Sequence, residues 1–361
     1  MARKPSRFRL ETRDIRTGAL VARLPYKDLQ AEFYINKPDN LRCTLPLQSN
    51  KVTKKNVDPG AQEIWLWRDG KLRYAGPLWA ATADLDAGTL AIESEGLLSY
   101  FAEREIKRKQ DITDFQDELA WNMVNATQRW YQWGDLRIVR GRFKASGTKQ
   151  HLVINVWEPQ KVLDIVTDDL AKRDFVNQGF DFWIDPATRE FNCYYPYKSE
   201  PQPHRLVYPK QLRNVTEQIN ARAMVNDYTG LGSGQDAAKI VSEAQDPASQ
   251  QRYTLMQDTF NYGPAKTKAN LDNIAKANLA LKNRPLVTPS LVCDPTQLPF
   301  DPFTSIGDQF QLVVPHHWFD YDEAKRFVGF QLTLGPDDNE TMVLFINDLR
   351  EVVDTSAELP T

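Results

Sequence analysis

Residues 63–105 read EIWLWRDGKLRYAGPLWAATADLDAGTLAIESEGLLSYFAERE, and this stretch decides the fold class. Two apolar runs, Ile64–Trp67 and Arg73–Trp79, flank Arg68-Asp69-Gly70-Lys71. Asp-Gly between β-prone runs predicts a hairpin, because its tight turn needs residues that accept φ > 0. A second turn over Asp84–Gly88 leads into Thr89–Ser94, where Leu90 and Ile92 alternate with Ala91 and Glu93 as the buried and solvated faces of a strand do. Gly96–Phe101 closes the stretch as an apolar segment, predicted to pack as a short helical turn over the meander. Such a meander is the architecture of a barrel or sandwich, and it brings no catalytic chemistry.

Toward the N-terminus, Phe8 and Leu10 alternate with Arg9 and Glu11, which predicts a half-buried strand with the two charged residues in water. A turn over Asp14–Gly18 leads to Leu20–Leu24; Leu29–Ile35 and Leu41–Leu47 flank Lys37-Pro38-Asp39-Asn40. Short strands at this spacing make residues 1–105 an N-terminal β-barrel. The period then changes. Phe115, Leu119, Met123, Ala126 and Trp130 fit one face of a helix starting near the capping candidates Thr113 and Asp114. A second helix is predicted from Glu158-Pro159, with Val162, Leu163, Val166 and Leu170 inward. Strands at 136–143 and 152–156 and a hairpin around Asp185-Pro186 complete a small α/β insertion domain over 106–214.

From 215 onward β-character returns. Gln218–Tyr228 reads as a strand, 237–260 as two more around Asp246-Pro247, and Leu271, Ile274, Ala275 and Leu279 as a helix ending before Pro285. Leu286–Cys293 and the alternating sets Phe310/Leu312/Val314, Val328/Phe330/Leu332/Leu334 and Met342/Leu344/Ile346 follow. These make 215–350 a second β-barrel with one helix, and 351–361 a polar tail. The fold class is therefore α+β, mainly β: two β-barrels around a small α/β domain.

Composition narrows the function. The 361 residues are 41% hydrophobic and 26% charged, an ordinary globular mixture, and a net charge of −3 gives no general pull toward nucleic acid or anionic membranes. No run approaches the ~18 apolar residues of a membrane span, and the start has no signal-peptide core, so synthesis and assembly in a cytoplasm are expected. Cys43, Cys193 and Cys293 are odd in number and lie in or beside apolar segments, which predicts buried free thiols. The basic arm at residues 3–9 reads as a solvated terminus or a contact with a neighbour or phosphate backbone. Nine Trp, thirteen Tyr and seventeen Phe suit β-structure and large interfaces alike.

The sequence holds no complete constellation of a common active centre. His316-His317 follow Pro315, and neighbours on an extended chain point apart, which suits a metal poorly. Glu93 and Glu95 share one strand face, as paired glycosidase carboxylates do, but it is the solvated face. Asp320, Asp322, Glu323 and Asp337-Asp338-Asn339-Glu340 lack the spacing and glycine of a calcium loop. Gly230-Leu231-Gly232-Ser233-Gly234 lacks the Lys-Ser or Lys-Thr pair of a phosphate loop. No catalytic, cofactor-binding or metal-ligating residue is assigned, no cofactor is implied, and the chain reads as a non-enzyme.

The stretch at 63–105 resembles the matching part of siphophage minor tail proteins of the baseplate-hub family. It shares their apolar strand, Arg-x-Gly, second strand ending in Gly-Pro, and short strand leading to Gly-Leu-Leu-x-Tyr and an acidic-Arg end. RYTLMQDTFNYGPAKTKANLDNIAKANLALKNRPLVTPSLVCD (252–294) is similar to the family's strand, helix and strand before its last barrel, and PFDPFTSIGDQFQLVV (299–314) to its closing strand. The resemblance runs in order along nearly the whole chain and is nearest to hubs of phages infecting actinobacteria. It implies a phage baseplate-hub-like fold and a homotrimeric ring in the virion's tail tip. One face of that ring would mate with the distal tail protein ring and the other would carry tip, minor tail or fibre proteins. The lumen would gate tape measure protein and DNA, with possible transient DNA contact. The short segment 351–361 leaves no room for the lytic or carbohydrate-binding extension of longer relatives. A cell-wall carbohydrate-degrading enzyme using Glu93 and Glu95, or a receptor-binding tail module, are the alternatives.

Overall fold

The computed structural model describes residues 7–144, 147–171, 179–263, 265, 267–335 and 339–347. Strands make up 46% of it and helices 16%, so the chain is mainly β. Contacts divide it into two units. The first draws on the segments 1–172, 179–214 and 291–345, and the second is centred on 215–290.

The first unit begins with β1 (Phe8–Asp14), β2 (Leu20–Leu24), β3 (Asp28–Tyr34), β4 (Asn40–Pro46), β5 (Gln62–Arg68), β6 (Lys71–Asp84) and β7 (Thr89–Glu95). They pair antiparallel in the order β2-β1-β5-β6-β7-β4-β3. The Asp69-Gly70 turn forms as expected, with φ of 51° and 76° at its two residues. Along β7, Ile92 and Ser94 are buried while Ala91, Glu93 and Glu95 are exposed. Strand β1 departs from the sequence pattern: Glu11 is wholly buried along with Phe8 and Leu10. Its carboxylate has Arg9 at 2.8 Å, Arg13 at 2.8 Å and the Trp67 indole N–H at 3.0 Å, so the buried charge is met by two guanidiniums and a donor.

Strand β6 changes partner midway. Its first half pairs with β5 as far as Pro77, and its second half pairs with β7 from Leu78. At Gly76 a Cβ would stand 1.8 Å from the Glu95 carbonyl oxygen, so only glycine allows the crossing. The 3-10 helix Leu97–Ala102 follows β7 and buries Leu97 to Phe101 without a gap, the helical turn predicted there.

Next come β8 (Glu105–Ile106), β9 (Gln110–Phe115), α1 (Gln116–Arg129), β10 (Val139–Lys144), β11 (Lys149–Ile154), β12 (Gln160–Lys161), α2 (Val162–Asp164, continuing as a π-helical turn to Leu170), β13 (Asp181–Ile184) and β14 (Glu190–Tyr194). Helix α1 starts two residues later than its predicted caps: Thr113 and Asp114 belong to β9, and Phe115 stands at the cap position with no side-chain bond. Its buried face runs through Leu119, Ala120, Met123 and Val124. The second helix likewise begins at Val162, because Gln160 and Lys161 are taken up by pairing with β8. The β13–β14 hairpin matches the sequence, with Asp185 closing its turn by accepting from the backbone N–H groups of Ala187 and Thr188.

The remaining elements are β15 (Pro201–Val207), β16 (Leu212–Asn220), β17 (Asp227–Leu231), β18 (Val241–Gln245), α3 (Pro247–Tyr253), β19 (Gln257–Asn261), α4 (Lys268–Lys282), β20 (Leu286–Cys293), β21 (Gln309–Val314), β22 (Tyr321–Leu334) and β23 (Glu340–Asn347). The strand predicted over 218–228 is broken between β16 and β17, whereas the two strands predicted around Asp246-Pro247 form as β18 and β19, with helix α3 inserted between them. Asp246 caps that helix by accepting from Ser249 N at 3.0 Å, with Pro247 in its first turn. In the second unit, β17 pairs antiparallel with β18 and parallel with β19. Helix α4 covers them, its Ala275 and Leu279 meeting Val225, Tyr228 and Ala244.

Strands β21 and β22 do not join β17–β19. Residues 321–326 of β22 pair with β21, and residues 329–334 pair with β3. Strand β21 also takes β15 as a parallel neighbour. Aromatic rings fill the seam, Phe33 stacking on Phe330 at 4.7 Å and meeting Phe303 edge-on at 5.0 Å. No ladder among the described residues closes the sheet of the first unit into a barrel. The tail at 351–361 lies outside the described residues.

Candidate functional site

The residues singled out for chemistry do not converge. Glu93 and Glu95 project from the open face of β7, and Glu93 reaches Arg42 at 3.7 Å. Partial burial, with Glu103 and Glu93 nearby, pushes the Glu95 carboxyl up. Beside them the sheet face holds a shallow depression of about 320 Å3 lined by Gln30, Arg42, Thr44, Ala91 and Glu93. His316 and His317 do not point apart as an extended chain would have them. The tight turn brings their rings to 4.2 Å, tilted by 34°, and His316 Nδ1 accepts from the Trp318 backbone N–H. Asp322 is engaged with Arg205 and Gln311, and Glu323 with Lys325. Asp337 and Asp338 lie outside the described residues. Among the described residues no three His, Cys, Asp or Glu side chains gather as a metal site. Gly230 and Leu231 end β17, and Gly232 packs against the Ala265 carbonyl oxygen. All three thiols are buried, and burial pushes the Cys293 thiol up to about 12.

The charged residues that do converge are structural. Glu63 is fully buried, and Arg189 donates to its two oxygens at 3.0 and 3.1 Å. Tyr100 and Trp65 add hydrogen bonds at 2.9 Å each. A single carboxylate thus ties the meander, the 3-10 helix and the β13–β14 turn. Asp181 plays the same part for β13. It accepts from Asn36 at 2.9 Å, from Lys198 N at 2.6 Å and from the buried Arg326 of β22. Glu340 draws in Arg68 at 2.9 Å and Arg7 at 2.8 Å. Each cluster joins segments more than a hundred residues apart, which sequence spacing cannot reveal.

Three large aromatic side chains stand open to solvent. Trp157 is 81% exposed, Trp133 71% and Trp318 66%, each on a turn of the first unit. Contiguous exposed apolar patches mark association surfaces, whereas single exposed side chains are ordinary. No family model and no curated protein matches the chain. Solved structures do. A tail protein from Neisseria meningitidis MC58 superposes with a TM-score of 0.64 at 13% identity, over 96% of this chain and 99% of that one. The 43 kDa tail protein of prophage MuSo2 from Shewanella oneidensis gives 0.66 at 10%, over 96% and 100%. The chain has the fold of phage tail proteins. Prophage tail protein gp18 from Listeria monocytogenes EGD-e extends the likeness, with a TM-score of 0.56 at 8% identity over 94% and 95%. In every case nearly the whole of both chains is covered, so the fold is shared as a complete architecture. No helix among the described residues is long and apolar enough to cross a membrane.

Proposed function

We propose that this chain is a structural hub of a phage tail tip, working through interfaces and turning over no substrate. Three copies form a ring in the virion. One face meets the distal tail protein ring, the other carries tip or fibre proteins, and the lumen gates tape measure protein and DNA. The observation that carries the reading is the end-to-end likeness to tail proteins of equal length. The interlocked first unit, pinned by buried ion pairs, suits a part that must keep its shape under load. Its exposed tryptophans suit an assembly that covers them. Siphophage origin and the hub position rest on the sequence resemblance at 63–105, 252–294 and 299–314.

Light scattering tests the ring: a particle of three 41.5 kDa chains is expected at micromolar concentration. Co-purification with the distal tail and tape measure proteins tests the position. A monomer that retains neither partner would overturn the proposal.

A further inference from the structure

The loop after α1 turns aromatic side chains outward. Trp133 and Tyr131 are 71% and 48% exposed, with Trp130 half-buried next to them. Arg104 fixes the loop by donating to the Gly134 carbonyl at 2.6 Å. Guanidinium groups already lie on the rings, Arg16 at 4.7 Å from the Trp133 centroid and Arg108 at 4.9 Å from that of Trp130. Arg108 and Arg129 have no carboxylate within ion-pair distance among the described residues, while Arg16 acts on the Asp14 carboxylate of its own turn. Rings edged by solvent-facing guanidiniums suit an apolar side chain carried between carboxylates. The carboxylates of Asp14 and Asp135, committed to turns in the same loops, oppose a continuous polyphosphate but leave room for a short acidic peptide.

The chain itself carries such a peptide. At the tip of the β6–β7 hairpin stands Asp84-Leu85-Asp86, where Leu85 is 87% exposed, the most exposed large apolar side chain among the described residues. Asp84 closes the turn by accepting from Ala87 N at 2.8 Å, which sets the tip with its leucine in water. This tip cannot reach the aromatic loop of its own copy. Ile15, next to Arg16, is bonded to Ala61, and Gly60 to Leu78, so Arg16 lies level with Leu78. Leu85 is seven residues further along an extended strand and its turn, about 20 Å away at ~3.3 Å per residue.

We propose that Leu85 of one copy docks on Trp130, Tyr131 and Trp133 of the next, with Asp84 and Asp86 facing Arg16 and Arg108. A knob and an acceptor at different places on one protein make a head-to-tail contact, the kind that closes into a ring. The inference rests on the ring reading above and names its contact.

Site-directed cross-linking tests it on the full chain. The native thiols are buried, so introduced cysteines report alone. Leu85→Cys and Gln132→Cys, mixed in equal amounts and oxidised mildly, should give a covalent dimer that neither variant forms by itself. Asp86→Arg added to the Leu85→Cys copy should abolish most of that product, and Arg16→Glu in the other copy should restore it. An oligomer by light scattering with no mixed cross-link would overturn the contact and leave the ring standing. A monomer with no cross-link would overturn both.

Discussion

Glu63 and Arg189 are 126 residues apart and almost fully enclosed, their side chains 0% and 9% exposed. Removing one member of such a pair leaves an uncompensated charge inside, at a cost of about 3–5 kcal/mol. Arg189→Met should therefore lower the stability of the first unit by about that much, and adding Glu63→Gln should recover part of it; urea titration checks both. Asp39 makes a different prediction. Burial pushes its carboxyl up to about 7, opposed only by the hydrogen bond from the Tyr34 N–H. A carboxyl whose pKa is higher folded than unfolded favours the fold while protonated. Its contribution is complete below the unfolded value of 3.8 and fades as pH rises to about 7. Asp39→Asn keeps an acceptor for Tyr34 and cannot ionise, so it should gain on wild type between about pH 4 and about pH 7. Glu340 and Asp308 are raised in the same direction, so the difference between the two proteins, and not the slope of either, isolates Asp39. Equal pH profiles would exclude this role. None of this was legible in the sequence. Glu11, Glu63 and Arg189 look like solvated positions in strands and turns, and only distant partners make them interior.

At the scale of elements, local signals were decisive wherever one segment contains its own cause. The Asp69-Gly70 turn, the Asp185 turn, the alternation of Phe310, Leu312 and Val314, and the boundaries of α4 all follow from neighbours in sequence. Asp246-Pro247 shows how one signal can serve two structures, since a turn former followed by proline is also a helix cap and first turn. The strand break between β16 and β17 had no marker at all. The histidine pair differs from its extended-chain expectation for a similar reason, because only the turn over 315–320 brings the two rings together. Gly76 is the sharpest element-level test. Alanine there would press on the Glu95 carbonyl, and overpacking at a strand crossing costs about 1–3 kcal/mol, or more where backbone must move. Gly76→Ala should lower the midpoint of thermal unfolding and loosen β7, visible as faster amide exchange at Ile92 and Ser94. Unchanged exchange would mean that the crossing has slack.

For the molecule as a whole, the strand partners of β22 were beyond the reach of local patterning. Its alternation was plain, but whether it extends a C-terminal sheet or adds to β3 depends on contacts across the chain. The same holds for the exposed aromatic loops, whose meaning comes from what they lack inside the protein. All three cysteines fall within the first unit, so it should protect them together. Thiol labelling under increasing denaturant is expected to modify Cys43, Cys193 and Cys293 in one step; release of Cys293 well before the others would show that the C-terminal strands detach independently.

The pairing of β3 with β22 also sets a timetable for synthesis. Leu29 waits for Leu334, and roughly 300 residues pass through the ribosome between them, on the order of 15–60 s at 5–20 residues per second. Through that interval the edge of β3 offers unpaired backbone groups to whatever strand arrives first. The partners of β17–β19 and α4 lie within a short contiguous stretch, so that segment can complete its pairings while the earlier strands are still waiting. Nascent chains halted before residue 321 should therefore need a chaperone to stay soluble, and those released beyond Leu334 should not.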